Sequence, residues 1–67
     1  MLVEDLGKVL YGETKVELEY DYNCYFTGTA SMLKDCVFSG RVIREIYIGI
    51  DGKTLVIVIG GIRKNKA

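Results

Sequence analysis

Two stretches late in the chain, residues 41–50 and 54–59, are strand-formers with apolar residues on both faces, and this limits the fold more than any other feature. In 54–59, Leu55, Ile57 and Ile59 point one way while Val56 and Val58 point the other. In 41–50, Val42, Ile46, Ile48 and Ile50 share one parity, and Ile43 and Tyr47 share the other. Asp51-Gly52 between them is the strongest hairpin signal in the sequence. Strands that are apolar on both sides are buried on both sides. Yet 67 residues make one domain, and a chain of that size hides only about 60% of its unfolded surface. It has residues for one thin helical layer, enough for one face of a four-stranded sheet. The sequence therefore predicts a homo-oligomer, dimer or higher, with Ile43, Tyr47, Val56 and Val58 at the subunit interface.

The rest of the chain supplies the other elements. Leu2, Leu6 and Val9 or Leu10 recur at helical spacing, which predicts a short helix ending near Gly12. Gly7 weakens that helix by about 1 kcal/mol relative to alanine. Residues 14–22 switch to period two, with Val16, Leu18, Tyr20 and Tyr22 on one face and Lys15, Glu17, Glu19 and Asp21 on the other. That alternation is a half-buried antiparallel strand. Asp21-Tyr22-Asn23 carries turn chemistry, and residues 24–30 read as the return strand with Phe26 inward. Thr29 or Ser31 can cap a two-turn helix bearing Met32, Leu33, Cys36 and Val37, which Ser39-Gly40 ends. Residues 60–67 read as a glycine break and a flexible basic tail. The fold class expected is α+β: a small, mainly antiparallel four-stranded sheet, a short N-terminal helix, a short helix between the two hairpins, and self-association.

Composition removes several functions. With 49% hydrophobic and 27% charged residues and no proline, disorder is excluded. There is no histidine, so histidine-based acid–base catalysis and histidine-ligated metals are absent. Two cysteines, Cys24 and Cys36, cannot furnish a four-ligand zinc site in one chain, and they read as buried, inert thiols. No enzyme, cofactor or metal is expected. Glu4 and Asp5 stand where a signal peptide has its apolar region. The longest apolar stretch, residues 55–62, is far below the ~20 residues that span a bilayer. The expectation is a cytoplasmic protein without a membrane partner. Net charge is zero, but residues 1–35 hold seven acids against three lysines and residues 36–67 hold six basic residues against two acids. Such a chain has no general electrostatic attraction to nucleic acid, which is not an expected partner. The asymmetry reads as cross-strand charge pairing within one sheet.

Three constellations invite chemistry. Gly52-Lys53-Thr54 resembles the end of a P-loop, but the required earlier glycine is Tyr47, and a strand rather than a helix follows. Glu17, Glu19 and Asp21 alternate about 6.5–7 Å apart; nothing apolar surrounds them, and they read as a solvated face. The aromatic cluster Tyr20, Tyr22, Tyr25 and Phe26, joined by Tyr47, is the third. Tyr20 and Tyr22 read as packing. Tyr25 and Tyr47 balance packing against a stacking platform for a planar ligand, with Arg41 or Arg44 bonding its phosphate or carboxylate. The two arginines lie on opposite strand faces, so one of them lines such a pocket.

The succession of a leucine-rich leader, Thr14-Lys15-Val16-Glu17-Leu18, Phe26-Thr27-Gly28, Met32-Leu33, Ile46-Tyr47-Ile48, Asp51-Gly52 and Thr54-Leu55-Val56-Ile57-Val58-Ile59 resembles small proteins of phages and prophages of Gram-positive bacteria. It spans residues 5–59. The resemblance implies a phage-encoded, host-directed setting in the host cell cytoplasm: an oligomeric binder that sequesters a nucleotide-derived immune signal or blocks a host defence protein. It carries over no functional residues. The function expected is thus a non-enzymatic oligomeric binding protein whose partner is a small nucleotide-like ligand or a host protein. The alternative is a structural or assembly subunit whose apolar hairpin is a packing surface.

Overall fold

Strict alternation makes residues 15–20 a strand, and the two valines beyond Leu55 make 55–62 another; in the computed structural model these two lie side by side at the centre of the sheet. The structure describes residues 1–62. The elements are helix α1 (Val3–Val9), strands β1 (Lys15–Tyr20) and β2 (Asn23–Thr29), a 3-10 turn at Ala30–Met32, and strands β3 (Arg41–Ile48) and β4 (Leu55–Ile62). The sheet order is β2-β1-β4-β3. Both hairpins are antiparallel, while β1 and β4 pair in parallel, Val16 to Leu55 through Glu19 to Val58. The molecule is a small α+β fold with one mixed sheet. A parallel pair needs a long crossover, and here β2, the 30–40 segment and β3 form it.

One face of the sheet is covered. Val16, Leu18, Ile57 and Ile59 are fully buried under Val3 and Leu6 of α1 and Ala30 and Leu33 of the segment after β2. Leu10, Phe26, Cys36, Phe38, Ile43 and Leu55 ring this core. Helix α1 has no polar N-cap side chain; instead the Asp5 carboxylate accepts the Leu2 N–H at 3.0 Å, and Glu4 and Asp5 lie in its positive first turn. Its backbone sits tight against the next layer. A β-carbon on Gly7 would lie 3.0 Å from Leu33 Cβ and 3.3 Å from Ala30 O. Gly7 is therefore the contact surface of the helix rather than a weak point in it.

Several expectations change. Tyr22 is not on a strand face: Asp21 and Tyr22 form the β1–β2 turn with φ of 53° and 65°, and Tyr22 is 97% exposed. The two-residue turn needs positive φ at both positions, and Asn23 steadies it by donating its side-chain N–H to Asp21 O. Residues 33–40 form successive turns instead of a two-turn helix. The β3–β4 connection spans residues 49–54, with Gly52 at φ 72°. The strand continues through Gly60 and Gly61 to Ile62, so the glycine break is part of β4; the remainder of the expected basic tail, residues 63–67, lies outside the described residues. Cys24 is exposed and Cys36 half-buried, both free, where two buried thiols were expected. Strand β2 is an edge, and among the described residues nothing lies over its outer face to bury Cys24.

The parity of β3 also breaks. Of two register shifts, the one between Ile43 and Glu45 makes Arg44 an extra residue of β3, and the one between Arg41 and Ile43 puts an extra residue on β4. Ile43 pairs with Ile59 and packs on the covered core, whereas Tyr47 pairs with Val56 on the other face. The four residues expected at one interface are thus divided between two faces. On the open face Val56 is only 4% exposed and Val58 is half-buried. Double-sided burial in β4 arises inside the chain, because a central strand is flanked by the longer side chains of β1 and β3.

Candidate functional site

Strand β2 carries one residue too many opposite β1. Leu18 pairs with Phe26 and Glu19 with Cys24, so Tyr25 is a bulge residue. A bulge re-aims the side chain it carries, and here it turns Tyr25 toward the covered side of the sheet. Its ring lies 6.2 Å from that of Tyr20 and 6.2 Å from that of Phe38, tilted against both. Such tilted pairs are the favoured geometry of aromatic rings. Arg41, at the start of β3, lies across this cluster. Its guanidinium carbon is 5.1 Å from the centre of Tyr20 and 6.0 Å from that of Phe38. Its Nε–H donates to Gly60 O at 2.7 Å, which fixes the plane of the group. Tyr20, Tyr25, Phe38, Arg41 and Ile59 together line a hollow of about 190 Å³.

Arg44 and Tyr47 are elsewhere. The stem of Arg44 crosses the open face over Gly60, with its Cγ and Cδ 3.1 Å from where a β-carbon there would sit. It lines a wider hollow of about 530 Å³ with Glu19, Asp21, Tyr22, Glu45, Tyr47 and Val58. The Tyr47 hydroxyl donates to Glu19 Oε1 at 3.0 Å. That bond to a carboxylate, with burial and the nearby charges of Glu19, Glu45 and Glu17, raises the Tyr47 pKa above its ordinary value. A third hollow, about 330 Å³, adjoins it beside Glu17, Glu19, Asp51 and Thr54. Among the described residues three carboxylates and one arginine line the wider hollow, an excess of negative charge that repels an anion. Among the described residues, Arg41 is the only charged one that lines the aromatic hollow.

The four expected ligand-binding residues therefore form two pairs on opposite faces: Tyr25 with Arg41, and Tyr47 with Arg44. The opposed placement of the two arginines is as the strand pattern predicts. Tyr20 belongs with Tyr25 and Arg41, although sequence reasoning assigned it to packing. Phe38 was missed altogether; its signal was an aromatic residue three positions before Arg41, just ahead of Ser39-Gly40. Among the described residues no group of three or more histidine, cysteine or acidic side chains is arranged to hold a metal ion, and no helix is long and apolar enough to cross a membrane. The chain matches no family model, and neither a curated protein nor a solved structure was found that matches it.

Proposed function

We propose that this chain is a non-enzymatic binding protein whose aromatic hollow takes a planar, negatively charged small molecule. The observation that carries this reading is Arg41: a guanidinium laid on Tyr20 and Phe38, held by Gly60 O, with no acidic residue lining the hollow among the described residues. The rings offer a π-face for a base, and the terminal guanidinium nitrogens offer charge-assisted bonds to phosphate or carboxylate. At about 190 Å³ the hollow is smaller than the ~300–1,000 Å³ of complete ligand pockets. It fits one ring system, with the rest of a nucleotide-like ligand extending over the surface. Sequestration of a nucleotide-derived immune signal, which the resemblance to phage proteins implies, would use this hollow. Blocking a host defence protein would use the open sheet face instead.

Self-association belongs to the same proposal. The alternative, an assembly subunit, is favoured by a separate observation: Ile46, Ile48 and Ile50 at the hairpin end are exposed.

Thermal stabilisation by a panel of nucleotides and ADP-ribose derivatives tests the ligand. A compound at a hundred times its Kd adds about 2.7 kcal/mol of stability. Removing a stacked ring costs about 1–3 kcal/mol, and each 1.4 kcal/mol is about tenfold in affinity. Tyr25→Ala and Arg41→Lys are therefore each expected to weaken binding tenfold or more, while Arg44→Ala leaves it intact. No shift with any compound would overturn the reading. Loss with Arg44→Ala alone would move the site to the open face.

A further inference from the structure

The two edges of the sheet are protected unequally. Strand β2 is interrupted by the Tyr25 bulge, and Asn23, Cys24 and Thr27 along it are polar or small. The first half of β3 has two register shifts. It is also covered: Leu2 bridges Val42, and the Ile43 N–H donates to Met1 O at 2.9 Å. From Glu45 to Ile48 none of these devices is present. The pairing with β4 is regular there, and among the described residues no strand lies on the outer side. Bulges, proline and lysine are the usual guards of a sheet edge, and this half-strand has Glu45 as its single charge.

Its side chains are apolar where they should be polar. Ile46 and Ile48 pair with Ile57 and Leu55 and so point to the covered side, but the helical layer ends short of them. They are 40% and 58% exposed. Ile50 beyond them is fully exposed.

We propose that residues 46–48 of β3 pair antiparallel with the same residues of a second copy, joining two sheets edge to edge about a two-fold axis. An antiparallel pairing of identical strands is self-complementary, so one edge suffices for a closed dimer. Charge and the register shift select the pairing. An axis through Glu45 would oppose like charges, which destabilises a sheet. An axis through Ile46 would set Ile48 against Arg44 of the second copy, at the register shift, whereas an axis through Tyr47 places Ile46 against Ile48 of the second copy, Tyr47 against its own counterpart, and Glu45 across from Gly49 of the second copy. The four isoleucines Ile46 and Ile48 then form one apolar cluster beside the two helical layers. Three paired residues a side bury less than the ~800 Å² a side of a standard interface, so the dimer forms at micromolar rather than nanomolar concentration.

This inference deepens the self-association part of the proposed function and is independent of the ligand. Sedimentation of the full chain from low to high micromolar concentration should show 7.5 kDa giving way to twice that mass. Ile46→Lys and Ile48→Lys, both at exposed positions, should remain at monomer mass throughout with unchanged circular dichroism. In the wild-type chain, amide exchange should slow with concentration at residues 46–48 and nowhere else. A monomer at every concentration overturns the inference, as does an Ile48→Lys chain that dimerises like the wild type. Concentration-dependent protection at other residues also overturns it, and this measurement decides the matter if a lysine variant unfolds. Ligand stabilisation should persist in Ile48→Lys, so loss of the dimer and loss of ligand binding are read separately.

Discussion

Gly7 illustrates how a residue's local preference and its tertiary role can oppose each other. In an isolated helix, alanine at this position would gain about 1 kcal/mol. In the folded chain the new methyl would meet Leu33 Cβ at 3.0 Å and the backbone at Ala30 O and Lys34 N at 3.3 and 3.4 Å. Backbone yields poorly, and overpacking of this kind costs about 1–3 kcal/mol. Gly7→Ala is therefore expected to lower stability by about 1 kcal/mol, read as a lower denaturant midpoint at unchanged m-value. A higher midpoint would show that the helix and the 3-10 turn can separate without loss. Tyr25 makes the same point about faces. Period-two counting puts it opposite Phe26, and a single inserted residue moves it to the aromatic hollow.

At the scale of elements, the β3–β4 hairpin shows local chemistry read correctly in kind and incompletely in extent. Asp51-Gly52 does mark the reversal, with Gly52 at positive φ. The loop closes over six positions because Asp51 organises it. Its Oδ1 accepts the N–H groups of Lys53 and Thr54 at 2.9 and 2.8 Å, and its Oδ2 accepts the Thr54 hydroxyl at 2.7 Å. These bonds, the Thr54 N–H foremost, lower the Asp51 pKa from 3.8 to about 2. Because the folded state holds the carboxylate ionised more strongly than the unfolded chain does, the stabilisation is present in full above 3.8 and disappears as pH falls toward about 2. The stability difference between wild type and Asp51→Ala should be constant from neutral pH down to the ordinary carboxylate range and shrink below it. A difference that does not change over that interval would mean that the bonds do not form in solution. The segment after β2 was less legible. Met32, Leu33, Cys36 and Val37 have helical spacing, but only Ala30–Met32 closes a 3-10 turn. The segment passes over the sheet in turns, and tertiary packing of Leu33 and Phe38 outweighs a weak local period.

For the whole molecule, the arrangement of strands sets the order of stability. The slab measures 39 × 24 × 16 Å, and four of its six largest fully buried side chains, Val16, Leu18, Ile57 and Ile59, come from β1 and β4, the inner pair. Amides of β1 and β4 should exchange slowest and those of β2 fastest, because local opening frees edges before centres. Equal protection of β2 and β4 would contradict the strand order. From the sequence alone came the α+β class, the four strands, both hairpins, the N-terminal helix and the opposed faces of Arg41 and Arg44. Each rests on periodicity or turn chemistry within about ten residues, where backbone geometry alone links sequence to structure. The parallel pairing of β1 with β4, the three register shifts, and the meeting of Tyr20, Tyr25, Phe38 and Arg41 were decided only by the tertiary structure. Those contacts join segments far apart in the chain, and a one-residue slip in a strand exchanges its faces. No local pattern records which strand will be neighbour to which; the closest packing of the apolar faces settles it.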